Sequence, residues 1–342
     1  MQISIIGLNQ SGKTTLFSAL SGKGKTSDGI ATVKVPDERI DRLSEIFKPK
    51  KTTYATIEFK DIQIELDNSG AFSTKTIGEI RNADALCIVI RSFKNDTVPH
   101  PSGTINPLRD FQEIEEELII TDLLQIEKRL DRLQREGKQK GAEYNILKRL
   151  KETLDNGKAL NQTRITDEDK RLISGFKFLT LKPFIVVINS DENNSIDDSS
   201  LIKYLAERGY NYIMVFAKIE EEISQLNEGD QKAFMEDIGI KESIIGRLIK
   251  KSYEVVNLIS FITAGEDEVK AWTIKKGSNA VEAAQKIHSD IARGFIRAEV
   301  VHYDDFIKEG SFKACKEKGL LRLEGKEYIV KDGDIINFRF NV

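Results

Sequence analysis

The sequence has 342 residues and only two cysteines, Cys87 and Cys315. Neither a disulfide framework nor a cysteine-based zinc site is therefore available, and Cys87, inside an apolar run, reads as a small core residue. No apolar run approaches the roughly 18 residues needed to cross a bilayer. Met1-Gln2-Ile3 leads directly into a strand-like segment without a signal peptide, so no membrane partner and a reducing cytoplasm are expected. Charge of one sign is also missing: 52 Lys and Arg stand against 55 Asp and Glu, a net −3. That balance excludes wholesale nucleic-acid binding, and any basic surface has to be local. Trp272 and the three histidines, His100, His288 and His302, fall at no catalytic or metal-ligand spacing and read as core or surface residues. The length suits two or three domains, each able to bury a core.

Against this background one stretch stands out. Gly7-Leu8-Asn9-Gln10-Ser11-Gly12-Lys13-Thr14 fits G-x-x-x-x-G-K-[ST], the phosphate-binding P-loop. An apolar run, Gln2 to Ile6, precedes it, and a helical pattern through Thr15, Leu16, Phe17, Ala19 and Leu20 follows, ending at Gly22. Strand, glycine loop and helix are the parts the chemistry needs. Backbone N–H groups of residues 9 to 15 form an anion nest, and the helix N-terminus adds partial positive charge. Lys13 is expected to reach the β- and γ-phosphates and so to serve catalysis, while the Thr14 hydroxyl ligates Mg²⁺. Asn9, Gln10, Ser11, Gly12, Lys13, Thr14 and Thr15 are the expected phosphate contacts.

The polar segment from Gly22 to Gly29 occupies the switch I position, where Thr26 or Thr32 is either a Mg²⁺-sensing threonine or a plain linker residue. Pro36 to Phe47 has helical spacing, and Ala55 to Asp61 alternates like a half-exposed strand. Asp61 closes that strand, at the position of an acid close to Mg²⁺. The glycine that usually follows three residues later is absent from Asp61-Ile62-Gln63-Ile64. Glu65, the next residue, falls where many GTPases carry a water-orienting glutamine; it is either a catalytic carboxylate or a solvated loop side chain. Ala85 to Ile90, Phe184 to Ile188 and Tyr212 to Val215 read as further buried strands. Strands alternating with helices imply a doubly wound, mainly parallel α/β sheet with ligand at the strand C-termini.

Residues 108 to about 170 break the alternation. Ile119, Leu123, Ile126, Leu130 and Leu133, then Leu147, Leu150 and Leu154, predict an antiparallel helical hairpin with a narrow seam. From 128 to 151 nine bases face three acids. This basic tip is either a solvated helix face or an RNA contact, with Arg132, Arg135, Lys138 and Lys140 as its candidates. From about 255 onward, short apolar segments punctuated by glycines read as a small α+β domain, with fourteen bases and fourteen acids.

These residues resemble the YchF-type Obg-like ATPases, P-loop NTPases with a C-terminal TGS domain. The match is carried by Phe261 to Gly265, Ala271 to Ile274, Arg293 to Val300 and Arg339 to Val342, and further by Pro36-Asp37, Thr56 to Phe59 and Lys218-Ile219-Glu220. The resemblance covers nearly the whole chain. It implies a nucleotide-binding domain over 1–107 and 171–254, interrupted by a coiled-coil arm at 108–170, and a β-grasp TGS domain over 255–342. It also implies ATP as the favoured nucleotide and association with the ribosome, by a chain expected to be a monomer. Base choice has a local argument too. Guanine-specific relatives carry N-K-x-D, whereas this chain has Asn189-Ser190-Asp191-Glu192, similar to the family's N-x-x-E. Asn189 and Glu192 are the expected base contacts, with Ala217 and Lys218 closing the site, so GTP should bind less tightly than ATP.

Several positions depart from the family. Asn9-Gln10 replaces Pro-Asn, switch I is shortened, the glycines after Asp61 are missing, and Phe216 replaces the serine of S-A-K. Binding elements are kept while γ-phosphate sensors are altered. Two function classes follow: a Mg²⁺-dependent, slowly hydrolysing ATPase switch that works with ribosomes or RNA, and a non-catalytic, nucleotide-dependent module that binds RNA or protein. A P-loop kinase is disfavoured, since no arginine-rich lid is present.

Overall fold

The structure, a computed structural model, describes residues 1–22, 29–68, 70–193, 195–227, 229–231, 233 and 243–341. Thr26 lies outside these. In chain order the elements are β1 (Gln2–Ile6), α1 (Lys13–Ser21), β2 (Ile30–Lys34), α2 (Glu38–Phe47), β3 (Lys51–Thr53), β4 (Thr56–Asp61), α3 (Thr74–Asn82) and β5 (Ala85–Ser92). There follow α4 (Pro107–Arg135), α5 (Ala142–Asp155), α6 (Asp167–Ile173), β6 (Phe184–Ser190), α7 (Ser199–Glu207), β7 (Asn211–Val215) and α8 (Ala217–Ser224). The C-terminal strands are β8 (Leu258–Ala264), β9 (Glu268–Lys275), β10 (Phe295–His302), β11 (Arg322–Glu324) and β12 (Asp334–Phe340). Two compact units result, one of Met1–Ala31 with Glu58–Ile245, the other of Thr32–Ile57 with Gly246–Val342. Thr32 sits in β2 as an exposed residue.

The first unit is built on a sheet of order β2-β4-β1-β5-β6-β7. The β4–β1, β1–β5, β5–β6 and β6–β7 pairs are all parallel. Every residue of β5 and β6 is buried, as an apolar run in a sheet covered on both faces requires. Parallel strands bring their C-terminal ends to one edge, and the loops at that edge carry the site.

Helix α4 has two jobs. Its first turns put Phe111, Ile114 and Leu118 into the sheet core beside Phe184 and Val186. Beyond that, Ile119, Ile126 and Leu133 pack against Ile146, Leu147, Leu150 and Leu154 of α5, which is the seam the heptad-like spacing predicts. Pro107 opens the helix at its first position, and the Asn106 side chain accepts from Arg109 N. Between the two segments Asp122, fully buried, accepts from Leu179 N (2.9 Å), Thr180 N (2.8 Å) and Thr180 Oγ1 (2.7 Å). Burial pushes its carboxyl above the usual range while these bonds oppose the shift.

The second unit has a sheet of order β11-β10-β12-β8-β9-β3. An antiparallel β8–β9 hairpin, a parallel β8–β12 pair and an antiparallel β10–β12 pair give a β-grasp arrangement, as the resemblance implies. The helix Ala280–Ile287 buries Ala280, Ala283 and Ala284 in the core with Phe261, Phe295 and Phe338. The added edge strand β3 pairs in parallel with β9, Lys51 opposite Glu268. Residues 32–57 therefore fold with the C-terminal third.

Candidate functional site

The loop between β1 and α1 can be made only with glycine at two points. A Cβ on Gly7 would stand 2.4 Å from Val89 O, and one on Gly12 would stand 2.1 Å from Asn189 Nδ2. Gly12 also has φ +90°, in the left-handed region that side chains resist. Gln10 adopts φ 63° without being glycine, a conformation costing about 1 kcal/mol. Lys13, 5% exposed, donates to Gly7 O (2.7 Å) and Leu8 O (2.9 Å). Burial holds its ammonium below the ordinary lysine range, and the negative charge of Asp61 acts in the opposite direction. The loop thus stores a desolvated cation at the N-terminus of α1, an arrangement that a polyanion relieves.

Asp61 stands across from the helix start. Thr14 Oγ1 donates to its Oδ2 at 3.2 Å and Gln63 Nε2 donates to the same oxygen at 3.3 Å. Its Oδ1 is buried and has no hydrogen-bond partner among the described residues. Burial raises the carboxyl above its usual range, opposed by Thr14, Lys13 and Gln63. A buried carboxylate oxygen without a partner, beside a threonine hydroxyl, is a fitting donor set for a hard divalent cation reached directly or through water.

Asn189, at the end of β6, has both ends of its amide engaged. Nδ2 donates to Ser11 O (3.1 Å) and Oδ1 accepts from Ala217 N (3.2 Å). The sequence reading puts this side chain at the base edge; in the structure it braces the P-loop against the start of α8. Ser11 and Ala217 are buried behind the wall. Asn189 and the next residues, Ser190, Asp191 and Glu192, line a cleft of about 690 Å³, to which Lys218 also contributes. Asp191 fastens its own loop, accepting from Ser195 N at 3.0 Å and Lys94 N at 3.3 Å. The Ser195 bonds hold its carboxyl below the usual range. Lys218 pairs with Glu221 (3.4 Å) and Glu222 (3.7 Å) at the rim.

Sequence reasoning missed the opposite wall. Phe93, Lys94, Asn95 and Val98 face the cleft. They are held from behind by Arg91, only 2% exposed, which donates to Phe93 O (3.2 Å) and Val98 O (2.9 Å) and lies 4.6 Å from the Phe93 ring. No motif flags these positions, because a wall residue is defined by the loop's path and not by spacing. His100, which the sequence leaves as core or surface, is buried with Nε2 2.8 Å from Asp110 Oδ2.

Glu65 does not line the cleft. Its carboxylate pairs with Lys75 at 2.6 Å, and its backbone is tied to Thr76 Oγ1 at the start of α3. At the arm tip, Arg132 and Lys138 both pair with Glu136, at 2.9 and 2.8 Å. Arg135 and Lys140 have no ion-pair partner among the described residues.

Comparison with known proteins bears on this geometry. Residues 258–341 match the YchF-GTPase C-terminal family, described as a protein of unknown function (DUF933). The ribosome-binding ATPase YchF of Bacillus subtilis (strain 168) is 41% identical over 360 residues, covering 99% of this chain and 98% of that protein. Its namesake from Escherichia coli O157:H7 is 37% identical over 358 residues, with 99% and 98% covered. The solved structure of the Schizosaccharomyces pombe YchF GTPase superposes with a TM-score of 0.90 at 27% identity, over 99% of this chain and 97% of that one.

Proposed function

The chain belongs to the YchF family, and from that membership we propose that it is a Mg²⁺-dependent, ATP-binding P-loop ATPase of slow turnover. It acts in the cytoplasm, as a monomer, on or near the ribosome. The observation that carries the nucleotide part is the buried Lys13 beside the partnerless Asp61 Oδ1, at the mouth of a cleft of nucleotide size. The nest of residues 9 to 15 grips the phosphates, and Lys13 exchanges its carbonyl partners for β- and γ-phosphate oxygens. Thr14 and Asp61 would hold Mg²⁺, which neutralises charge on the β- and γ-phosphates when bound. Asn189 keeps Ser11 and Ala217 at a fixed separation, so the phosphate and base ends of the cleft stay in register. Glu192, together with Ser190 in place of the lysine that covers guanine, favours adenine.

The ribosome part is supported by the relatives, which are ribosome-binding ATPases, and by the arm, whose Arg135 and Lys140, without an ion-pair partner among the described residues, suit RNA phosphates. Calorimetry with ATP and GTP, on the protein and on Lys13→Ala, tests the nucleotide reading. Cosedimentation with ribosomes tests the other. A second reading, a non-catalytic nucleotide-dependent module, is favoured by one observation: Glu65 is committed to Lys75 and leaves the cleft without a carboxylate base from that loop. Single-turnover hydrolysis separates the two, because a rate above that of Lys13→Ala sinks the second.

A further inference from the structure

We propose that Gln63, two residues after Asp61, orients the water that attacks the γ-phosphorus. This rests on the ATP-binding reading above and assigns its hydrolytic step to a side chain. Three observations place Gln63 there. First, it is exposed and lines the cleft between two anchored neighbours, Ile62, fully buried, and Ile64, packed against the same core. Strand-like alternation then points Gln63 away from that core. Second, its Nε2 donates to Asp61 Oδ2 at 3.3 Å, the oxygen that also accepts from Thr14 Oγ1. The amide therefore sits beside Asp61 and Thr14, the groups that would hold the metal next to the terminal phosphate. Third, its Oε1 has no hydrogen-bond partner among the described residues, so an acceptor remains for a water. Glu65 offers none of this, since its carboxylate lies in the Lys75 pair outside the cleft wall.

A glutamine amide is neither acid nor base at neutral pH, and its contribution is alignment. Water oxygen forms a bond to the γ-phosphorus while the bond from that phosphorus to the β–γ bridging oxygen breaks, and the bridging oxygen keeps the electron pair on ADP. The water protons pass to the released phosphate and to solvent. Gln63 Oε1 accepts a hydrogen bond from the water throughout and gains nothing.

The test compares Gln63→Ala and Glu65→Ala with the parent protein. Readouts are single-turnover ATP hydrolysis, affinity for ATP, affinity for ADP with beryllium fluoride or aluminium fluoride, and the Mg²⁺ concentration at half-maximal binding. Gln63→Ala should lower the rate about tenfold or more, and weaken ADP–aluminium fluoride, which mimics the transition state with its water, by a similar factor. ATP, ADP–beryllium fluoride and the Mg²⁺ midpoint should stay within about twofold of the parent. Glu65→Ala should leave all readouts within about twofold. Unchanged hydrolysis and unchanged aluminium fluoride affinity in Gln63→Ala overturn the proposal. So does a parallel loss of ATP affinity and Mg²⁺ dependence, which would make Gln63 a brace for Asp61. A parent protein that fails to bind ATP at all would instead overturn the nucleotide reading.

Discussion

Asn189 Nδ2 occupies the space a side chain on Gly12 would need: a Cβ there would come within 2.1 Å of it. The two residues are 177 positions apart in sequence, yet the missing methyl of one is the seat of the other. The same Nδ2 holds Ser11 O, so the loop's shape and the end of β6 are fixed together.

Removing this brace has a predictable cost. Asn189→Ala breaks two buried hydrogen bonds, to Ser11 and from Ala217, each worth about 0.5–1.5 kcal/mol. ATP affinity should fall roughly 5- to 100-fold, with the far-ultraviolet circular dichroism unchanged. Gly12→Ala should do worse, since its Cβ clashes and its φ of +90° resists a side chain. Calorimetric affinity within a factor of two of the parent for either variant would refute the brace.

Lys13→Ala removes a charge-assisted contact worth roughly 1.5–3 kcal/mol. The triphosphate affinity should drop about tenfold or more, and the affinity for a nucleoside without phosphates should not change. Equal losses for both ligands would mean that the variant damages the fold.

ATP should compete more strongly than GTP. The cleft presents Ser190 and Glu192 where the N-K-x-D of guanine sites has a lysine and an aspartate, and Asp191 is already engaged by Ser195 and Lys94. A tenfold preference for GTP in fluorescent-nucleotide displacement would require Asp191 to be released from its loop.

Arm charges should divide into two classes. Arg135→Glu with Lys140→Glu should lower ribosome cosedimentation and flatten its salt dependence, because fewer counterions are released. Arg132→Glu with Lys138→Glu should also destabilise the tip, since both bases pair with Glu136. Indifference of cosedimentation to all four changes would return the patch to a solvated surface. ATP affinity should be unaffected in every variant.

The tip is also sensitive to acid. Lys138 and Arg132 hold the Glu136 carboxyl down at about 2. A carboxylate depressed in the folded state contributes stability that is present above its unfolded value, about 4.3, and is lost as pH falls toward 2. Arg129 shifts Glu143 in the same direction, and the Thr166 backbone N–H, with Arg149, does so for Asp169. Protection from hydrogen exchange at the tip, taken relative to the intrinsic rate at each pH, should therefore fall between pH 4.3 and 2, and Glu136→Gln should remove part of that change. A flat profile in the parent would exclude these pairs in solution.

Much of this was readable from the sequence where the signal is local. The P-loop, the buried strands β5 and β6, and the α4–α5 seam are set by spacings of a few residues, and the structure has them at those places. Roles that depend on distant partners were not readable. Asn189 reads as a base contact and does line the cleft, but its bond to Ser11, 178 residues away, has no local signal. Counting residues from Asp61 puts Glu65 in the site, but the path of the loop has no local signal. Two hydrogen bonds to Thr76 pull it toward α3, and Gln63 takes the cleft position. The sign of the arm's charge was legible, but which bases Glu136 ties down was not.

The edge strand β3 has a consequence for how the protein is made. Thr53 Oγ1 donates to Glu268 at 2.7 Å across a separation of 215 residues. At about 5–20 residues per second, the partner strand emerges roughly 10–40 s after β3 itself. Throughout that interval Ile40 and Leu43, both fully buried at the end, have no finished sheet to cover them. The nascent chain thus carries an amphipathic helix with its apolar side uncovered, and an unpaired strand, through most of its own synthesis. A stop near residue 255 would leave residues 32–57 without the sheet they join.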